Sequence, residues 1–261
     1  MSAAQVLNQS SLQIIPNATA AELVNAVFQG AALHAVADNH EDKENEVATA
    51  TLLDTNPLDF LRKCPRILLD PKQIMSEAIE LEEYWIQSTK QKVRLVKKVR
   101  EFVESIPKAS SVVDSALMVA DELITNALFN APVDEDKHHV YNDLDRTHQV
   151  NLAEKDMARL YLATNGSRLV VGCRDPFGSL RPQALVQHIK KTFDEGISSA
   201  MNMGGGGAHI GLRMVLDVSM SLYIVVDPWN TTNVFAVLPI GRRYRQMDDV
   251  PKALHVVNLT K

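Results

Sequence analysis

Glu122, Asn126 and Asn130 recur at every fourth position of DELITNALFN, a spacing that sets one carboxyl and two amides in a single stripe of a helix. At about 100° per residue, Val113, Ala116, Leu117, Ala120, Ile124 and Ala127 fall on the far side, while Val119 and Phe129 flank the stripe. Polar groups hemmed in this way cost several kcal/mol if unpartnered, so a ligand, an ion or ordered water is expected beside them. The plainer alternative is the exposed polar edge of an amphipathic helix. Asp175 follows the apolar run RLVVGCR and opens the turn DPFG. An acid at the end of a buried strand can accept a hydrogen bond from an amino group, and Gly178 lets a flat ring approach the backbone. Asp-Pro also opens ordinary turns. Gly204, Gly205, Gly206 and Gly207 run straight into AHIGLRMVLDV, where Ile210, Met214, Leu216 and Val218 turn inward at helical spacing. Glycines ahead of a helix leave backbone N–H groups free for phosphate oxygens. A flexible linker is the alternative, but linkers rarely separate two patterned segments within a domain. The GKS or GKT ending of a P-loop is missing, and no GxGxxG follows a strand.

These residues need elements to hold them. The spacing predicts a long helix from residue 71 through Glu104, with Ile79, Leu81, Trp85, Val93, Val96, Val99 and Val103 as its apolar stripe, and a second helix over 111–130 stopped at Pro132. Residues 133–150 are polar and aperiodic, which reads as a loop. ARLYLA and RLVVGCR form a hairpin turned at Asn165-Gly166. A helix from Pro182 to Gly196, the glycine run, a helix from His209 to Met220 and two strands, SLYIVVD and VFAVLPI, follow. Hairpin-linked strands with helices kept apart from them point to an α+β fold. Residues 1–72 read as a small α+β unit with a surface loop near 38–46, residues 73–245 as the main domain and 246–261 as a tail.

Composition narrows the functional classes. The 261 residues are 46% hydrophobic and 23% charged, ordinary values for a globular protein, and the net charge of -5 offers no field for a phosphate backbone. Nucleic acid is therefore not the expected partner. Residues 90–100, KQKVRLVKKVR, interleave charge with Val and Leu and read as a solvated helix face. Two cysteines, Cys64 and Cys173, make no disulfide framework or metal spacing. The start MSAAQVLNQSSLQ has neither a basic nor an apolar targeting segment, and no uncharged apolar run approaches the roughly 18 residues that span a bilayer. No membrane partner and a cytoplasmic location are expected. His138, His139 and His148 lie in the polar loop beside Asp134, Asp136 and Asp143, where solvent exposure is a simpler account than metal binding.

Taken in order, the segments resemble the histidine-kinase-like (GHKL) ATPase superfamily, and within it the anti-sigma-factor serine kinase-like branch. The likeness runs from about residue 75 to 242. DELITNALFNA is similar to that family's N-box, CRDPFGSL to its first glycine box, GGGGAHIGLRMVLD to its second, and TTNVFAVLPI to its final strand. The resemblance implies a Bergerat-type ATP-binding fold, a two-layer sandwich of a mixed sheet with helices on one face, and the cofactors ATP and Mg²⁺. Glu122 would orient or deprotonate the attacking group, and Asn126 would hold the Mg²⁺ that bridges the phosphates. Asp175 would accept the adenine amino group with support from Thr232, and Gly178 would pack near the base. Gly204 to Gly207 and Gly211 would shape a phosphate lid, with Asn130 bordering the phosphates. Two positions depart from the pattern. Phe177 stands where the first box has a glycine, with Gly178 one residue late, and His209 replaces a glycine of the second box. The expected long helix carries no histidine, which argues against autophosphorylation in the histidine-kinase manner.

The implied function is an ATP- or ADP-binding regulatory protein, a serine/threonine kinase or nucleotide-dependent switch acting in signal transduction on an anti-anti-sigma-like or sigma-like partner, with homodimer formation left open. The alternative is a non-catalytic interaction module on a degenerate ATPase fold, holding a partner with residues 1–72 and the 133–150 loop. A topoisomerase-like dimerising ATPase is a third reading, opposed by the acidic balance and by the lack of a transducer-sized extension.

Overall fold

The computed structural model describes residues 12–29, 34–38, 65–70, 80–196, 208–241 and 252–259. Among these, eight strands build one mixed sheet: β1 (Leu12–Pro16), β2 (His34–Asp38), β3 (Glu80–Ile86), β4 (Ala158–Thr164), β5 (Arg168–Asp175), β6 (Ser221–Asp227), β7 (Thr231–Pro239) and β8 (Ala253–Asn258). Their spatial order is β1-β2-β8-β6-β7-β5-β4-β3. The run from β6 through β7, β5 and β4 to β3 is antiparallel throughout, whereas β1 lies parallel to β2 and β8 parallel to β6.

Strand side chains alternate between two faces, so one run of residues builds two cores. Leu160, Leu162, Leu169, Val171, Ile224, Ala236 and Val256 face a core shared with the helices α1 (Ala20–Phe28), α2 (Lys92–Ser105), α3 (Val113–Thr125), α4 (Pro182–Glu195) and α5 (Ala208–Val218). Tyr161, Val170, Tyr223, Phe235 and Val237 face the other way, onto a smaller core capped by Leu68 and Leu69 of the 3-10 turn Pro65–Leu69. The fold is therefore α+β, with these helices on one face of a mixed sheet. Local chemistry explains the helix ends. Thr19 and Glu22 form a reciprocal capping box at the start of α1. Pro182 opens α4, and Gly196, at φ 80°, closes it.

Three expectations are corrected. The long helix expected over 71–104 is a strand followed by a helix, because residues 80–86 pair along their whole length with β4 and α2 begins only at Lys92. Tyr84 and Ile86 face the main core while Leu81 joins the other one, a period of two that Ile79, Leu81 and Trp85 had disguised. The expected tail contains β8, which sits between β2 and β6 and is buried at Ala253 through Val257. The sheet also runs unbroken across the boundary expected near residue 72: β2 pairs with β8, and α1 packs against α4. The hairpin at Asn165-Gly166 and the helix from Pro182 stand where their patterns put them. Most of the surface loop expected near 38–46 lies outside the described residues.

Candidate functional site

The stripe on α3 is a hydrogen-bonded ladder. The Asn126 amide donates to Glu122 Oε1 at 2.8 Å, Asn130 donates to Asn126 Oδ1 at 2.5 Å, and Arg146 donates to Asn130 Oδ1 at 2.8 Å. The backbone explains the alignment. From Asn126 to Asn130 the helix widens into a π turn, closed by the Ala131 N–H bonding to the Asn126 carbonyl at 2.9 Å. Such turns carry i→i+5 bonds and take more residues per revolution, which stacks side chains four apart almost directly.

Facing the ladder is the end of β5. Cys173 and Asp175 share the helix-facing register of Leu169 and Val171, and the ladder with β7 pairs Asp175 with Thr232 and Cys173 with Val234. These four, together with Asn126, Asn130, Ala184 of α4 and Leu212 of α5, line a cavity of about 280 Å³. That is close to the lower end of small-molecule sites, roughly 300 Å³. Its walls are mostly apolar, and Asp175 is the one carboxyl among its lining residues.

Asp175 is 9% exposed, and its Oδ1 accepts the backbone N–H of Phe177 at 2.9 Å and of Gly178 at 3.4 Å. Burial pushes its carboxyl up to about 6, against the pull of those backbone donors and of Thr232. The same burial, with the Asp175 charge nearby, raises the Cys173 thiol well above its ordinary value and leaves it inert.

Glu122 lies on the other side of the ladder. It lines a neighbouring hollow with Val96, Leu117, Asp121 and Met214, under α5, where a Cβ at Gly211 would stand 1.9 Å from the Glu122 carboxyl carbon. Burial pushes the Glu122 carboxyl up to about 7, while the Asn126 amide and the Arg146 charge pull it down. A carboxyl raised to this range changes its charge near neutrality. Asn126 touches Glu122 and lines the Asp175 cavity, so it joins the two hollows.

Sequence-expected residues divide accordingly. Asn126, Asn130, Asp175 and Thr232 meet in one cavity, and Glu122 with Gly211 meets them from the adjacent one. Gly178 is not among the cavity's lining residues. At φ 59° it packs on the β6–β7 turn, where a Cβ would stand 2.2 Å from the Asp227 carbonyl oxygen, and its own carbonyl accepts the Trp229 N–H at 3.0 Å. Gly204, Gly205, Gly206 and Gly207 lie outside the described residues. His138 is exposed while His139 borders the cavity, and no group of three or more His, Cys, Asp or Glu among the described residues could hold a metal.

Several contributors carry little sequence signal. Ser179 fastens the turn after β5 to the end of α3 by donating to the Ala131 carbonyl at 2.7 Å. Arg146 arrives from a loop with no periodicity, and Cys173 and Leu212 are marked only by their apolar registers. No family model matches the chain, and no curated protein matches it with significant similarity.

Proposed function

We propose that this protein is an ATP-binding regulator built on a Bergerat-type fold, a serine/threonine kinase or nucleotide-dependent switch of the anti-sigma-like kind. The observation that carries the reading is Asp175, a buried acid at the end of a mostly apolar cavity whose opposite wall bears Asn126 and Asn130. Asp175 would accept the amino group of an adenine, Cys173, Val234 and Leu185 would pack on its ring, and Asn126 and Asn130 would face its phosphates. Asn126 Oδ1 already accepts from Asn130 and keeps a second lone pair for Mg²⁺. Mg²⁺ is commonly held by few protein oxygens plus substrate phosphates, and Asn126 Oδ1 would be the protein oxygen here. The metal, when bound, supplies charge neutralisation on the phosphates. Glu122, with its raised carboxyl, is the group that would take a proton from an attacking hydroxyl.

Calorimetry with Mg-ATP tests this directly. The wild type should bind and Asp175→Asn should bind more weakly; absence of binding by the wild type overturns the proposal. A second reading, a partner-holding module without phosphotransfer, draws support from the first glycine box, where Phe177 replaces a glycine and Gly178 packs on a neighbouring turn instead of the cavity. Phosphotransfer to a serine-bearing partner that is lost in Glu122→Ala, with ATP binding retained, would exclude it.

A further inference from the structure

The hollow beside Glu122 has a volume of about 460 Å³ and lies where α2, α3 and α5 meet. Its walls are mainly apolar, with Val96 from α2, Leu117 and Met118 from α3 and Met214 from α5, and Met214 is 42% exposed. Val93 stands three residues before Val96, on the same side of α2, and is 81% exposed. Apolar side chains gathered at the lip of a hollow mark an interaction site. Charge surrounds them. Residues 90–98 hold five cations, Lys90, Lys92, Arg94, Lys97 and Lys98, and no acid, in a chain whose net charge is -5. Lys92 is taken by Asp121 at 2.9 Å, and Lys97 and Lys98 share Glu101 at 3.7 and 2.7 Å. Lys90 and Arg94 are exposed and have no ion pair among the described residues. The first turn of α2 contains no acid, and the helix dipole disfavours cations there, so this charge costs stability unless an anion from outside meets it. Of the hollow's two acids, Asp121 is already paired with a cation and Glu122 is the more buried.

We propose that this face docks an acidic segment of a partner protein, with an apolar side chain of that segment in the hollow, its carboxylates against Lys90 and Arg94, and its serine or threonine hydroxyl toward Glu122. The hydroxyl rests on the kinase reading above, whereas the acidic and apolar character rests on this face alone. Apolar burial supplies affinity, and charge selects the partner, because a basic segment meets like charge at the rim. None of the hollow's apolar walls lines the Asp175 cavity, so the segment leaves that cavity free for a nucleotide.

The test is fluorescence anisotropy on the full chain, without nucleotide, using a labelled Asp-Asp-Leu-Ser-Leu-Asp-Asp peptide and its Lys-Lys-Leu-Ser-Leu-Lys-Lys counterpart, with Mg-ATP calorimetry alongside. The wild type should bind the acidic peptide about tenfold or more tighter than the basic one. Lys90→Glu combined with Arg94→Glu should reverse that preference, and Met214→Ser should weaken the acidic peptide. Should Met214→Ser fail to fold, Val93→Ser carries the same comparison. Equal affinity for the two peptides, or a preference that survives the charge reversal, overturns the proposal. Binding to phosphatidylserine and phosphatidylcholine vesicles in place of the peptide, or a dimer of this chain that the charge reversal breaks, overturns it by giving the face another occupant. A wild type that binds Mg-ATP but not the acidic peptide overturns the proposal and leaves the nucleotide reading standing. One that binds the peptide with the expected preference but not Mg-ATP overturns that reading and the hydroxyl's role, and keeps the acidic docking face.

Discussion

Asp175 and Glu122 are acids raised by burial to about 6 and about 7, so pH acts on each in a defined direction. For Asp175 the ionised form is the better acceptor for an amino group, and nucleotide affinity should weaken as pH falls through about 6. In the free protein the sign reverses. The folded state holds the proton more tightly than the unfolded one, so stability drops as pH rises from the ordinary carboxyl range to about 6. Asp175→Asn has no proton to lose, and thermal unfolding across pH 4 to 7 should show wild type losing stability relative to it. Equal pH dependence in the two proteins would mean that Asp175 is not buried as described. If Glu122 is the base, phosphotransfer should rise with pH through about 7. Glu122→Gln should abolish that dependence along with the activity, and keep ATP affinity within a few-fold.

At the scale of elements, close backbone approaches hold the site together. Gly178 combines φ 59° with a Cβ position 2.2 Å from the Asp227 carbonyl oxygen, so Gly178→Ala faces both strain and a clash with backbone that cannot yield. A destabilisation of about 2 to 4 kcal/mol is expected, read as a lower urea midpoint. Gly196 supplies the control. It has φ 80° but nothing within 4 Å among the described residues, and Gly196→Ala should cost only the backbone term, toward the lower end of about 1 to 3 kcal/mol. If the two variants unfold at the same midpoint, the contact between the DPFG turn and the β6–β7 turn is not made. Gly172 has a similar reason on the opposite face, where the Tyr161 ring lies across it and donates its hydroxyl to Asn233 at 2.8 Å. Asn233 in turn donates to the Leu68 carbonyl at 2.6 Å, which fastens the Pro65–Leu69 turn to the sheet. Gly172, Gly178 and Gly211 thus mark close packing.

The whole molecule depends on a strand from its C-terminal part. β8 lies between β2 and β6 and is the only link by which β1 and β2 reach the rest of the sheet among the described residues. A chain ended at residue 245 should therefore lose more than a tail. It exposes the β2 and β6 edges together with the apolar core surface that Leu254 and Val256 cover, and should be aggregation-prone or molten, as read by solubility and near-UV circular dichroism. Retention of the wild-type melting temperature by that truncation would show that the sheet closes without β8.

Features within one element or one turn were legible from the amino-acid order: the period that aligns Glu122, Asn126 and Asn130, the Asn165-Gly166 hairpin, the proline and glycine at the ends of α4, and the acid following a buried strand. Each depends on interactions between near neighbours, which leave a regular trace in the chain. Residues 80–86 gave a misleading trace because their apolar side chains suit a helix as well as an edge strand, and pairing with β4 resolves it. The insertion of β8, the packing of Gly211 on Glu122, the role of Gly178 and the arrival of Arg146 at Asn130 all join segments far apart in the chain. No local pattern encodes such meetings. They arise when hydrophobic burial brings the sheet and helices together and leaves each buried polar group to be satisfied by whatever the fold sets beside it.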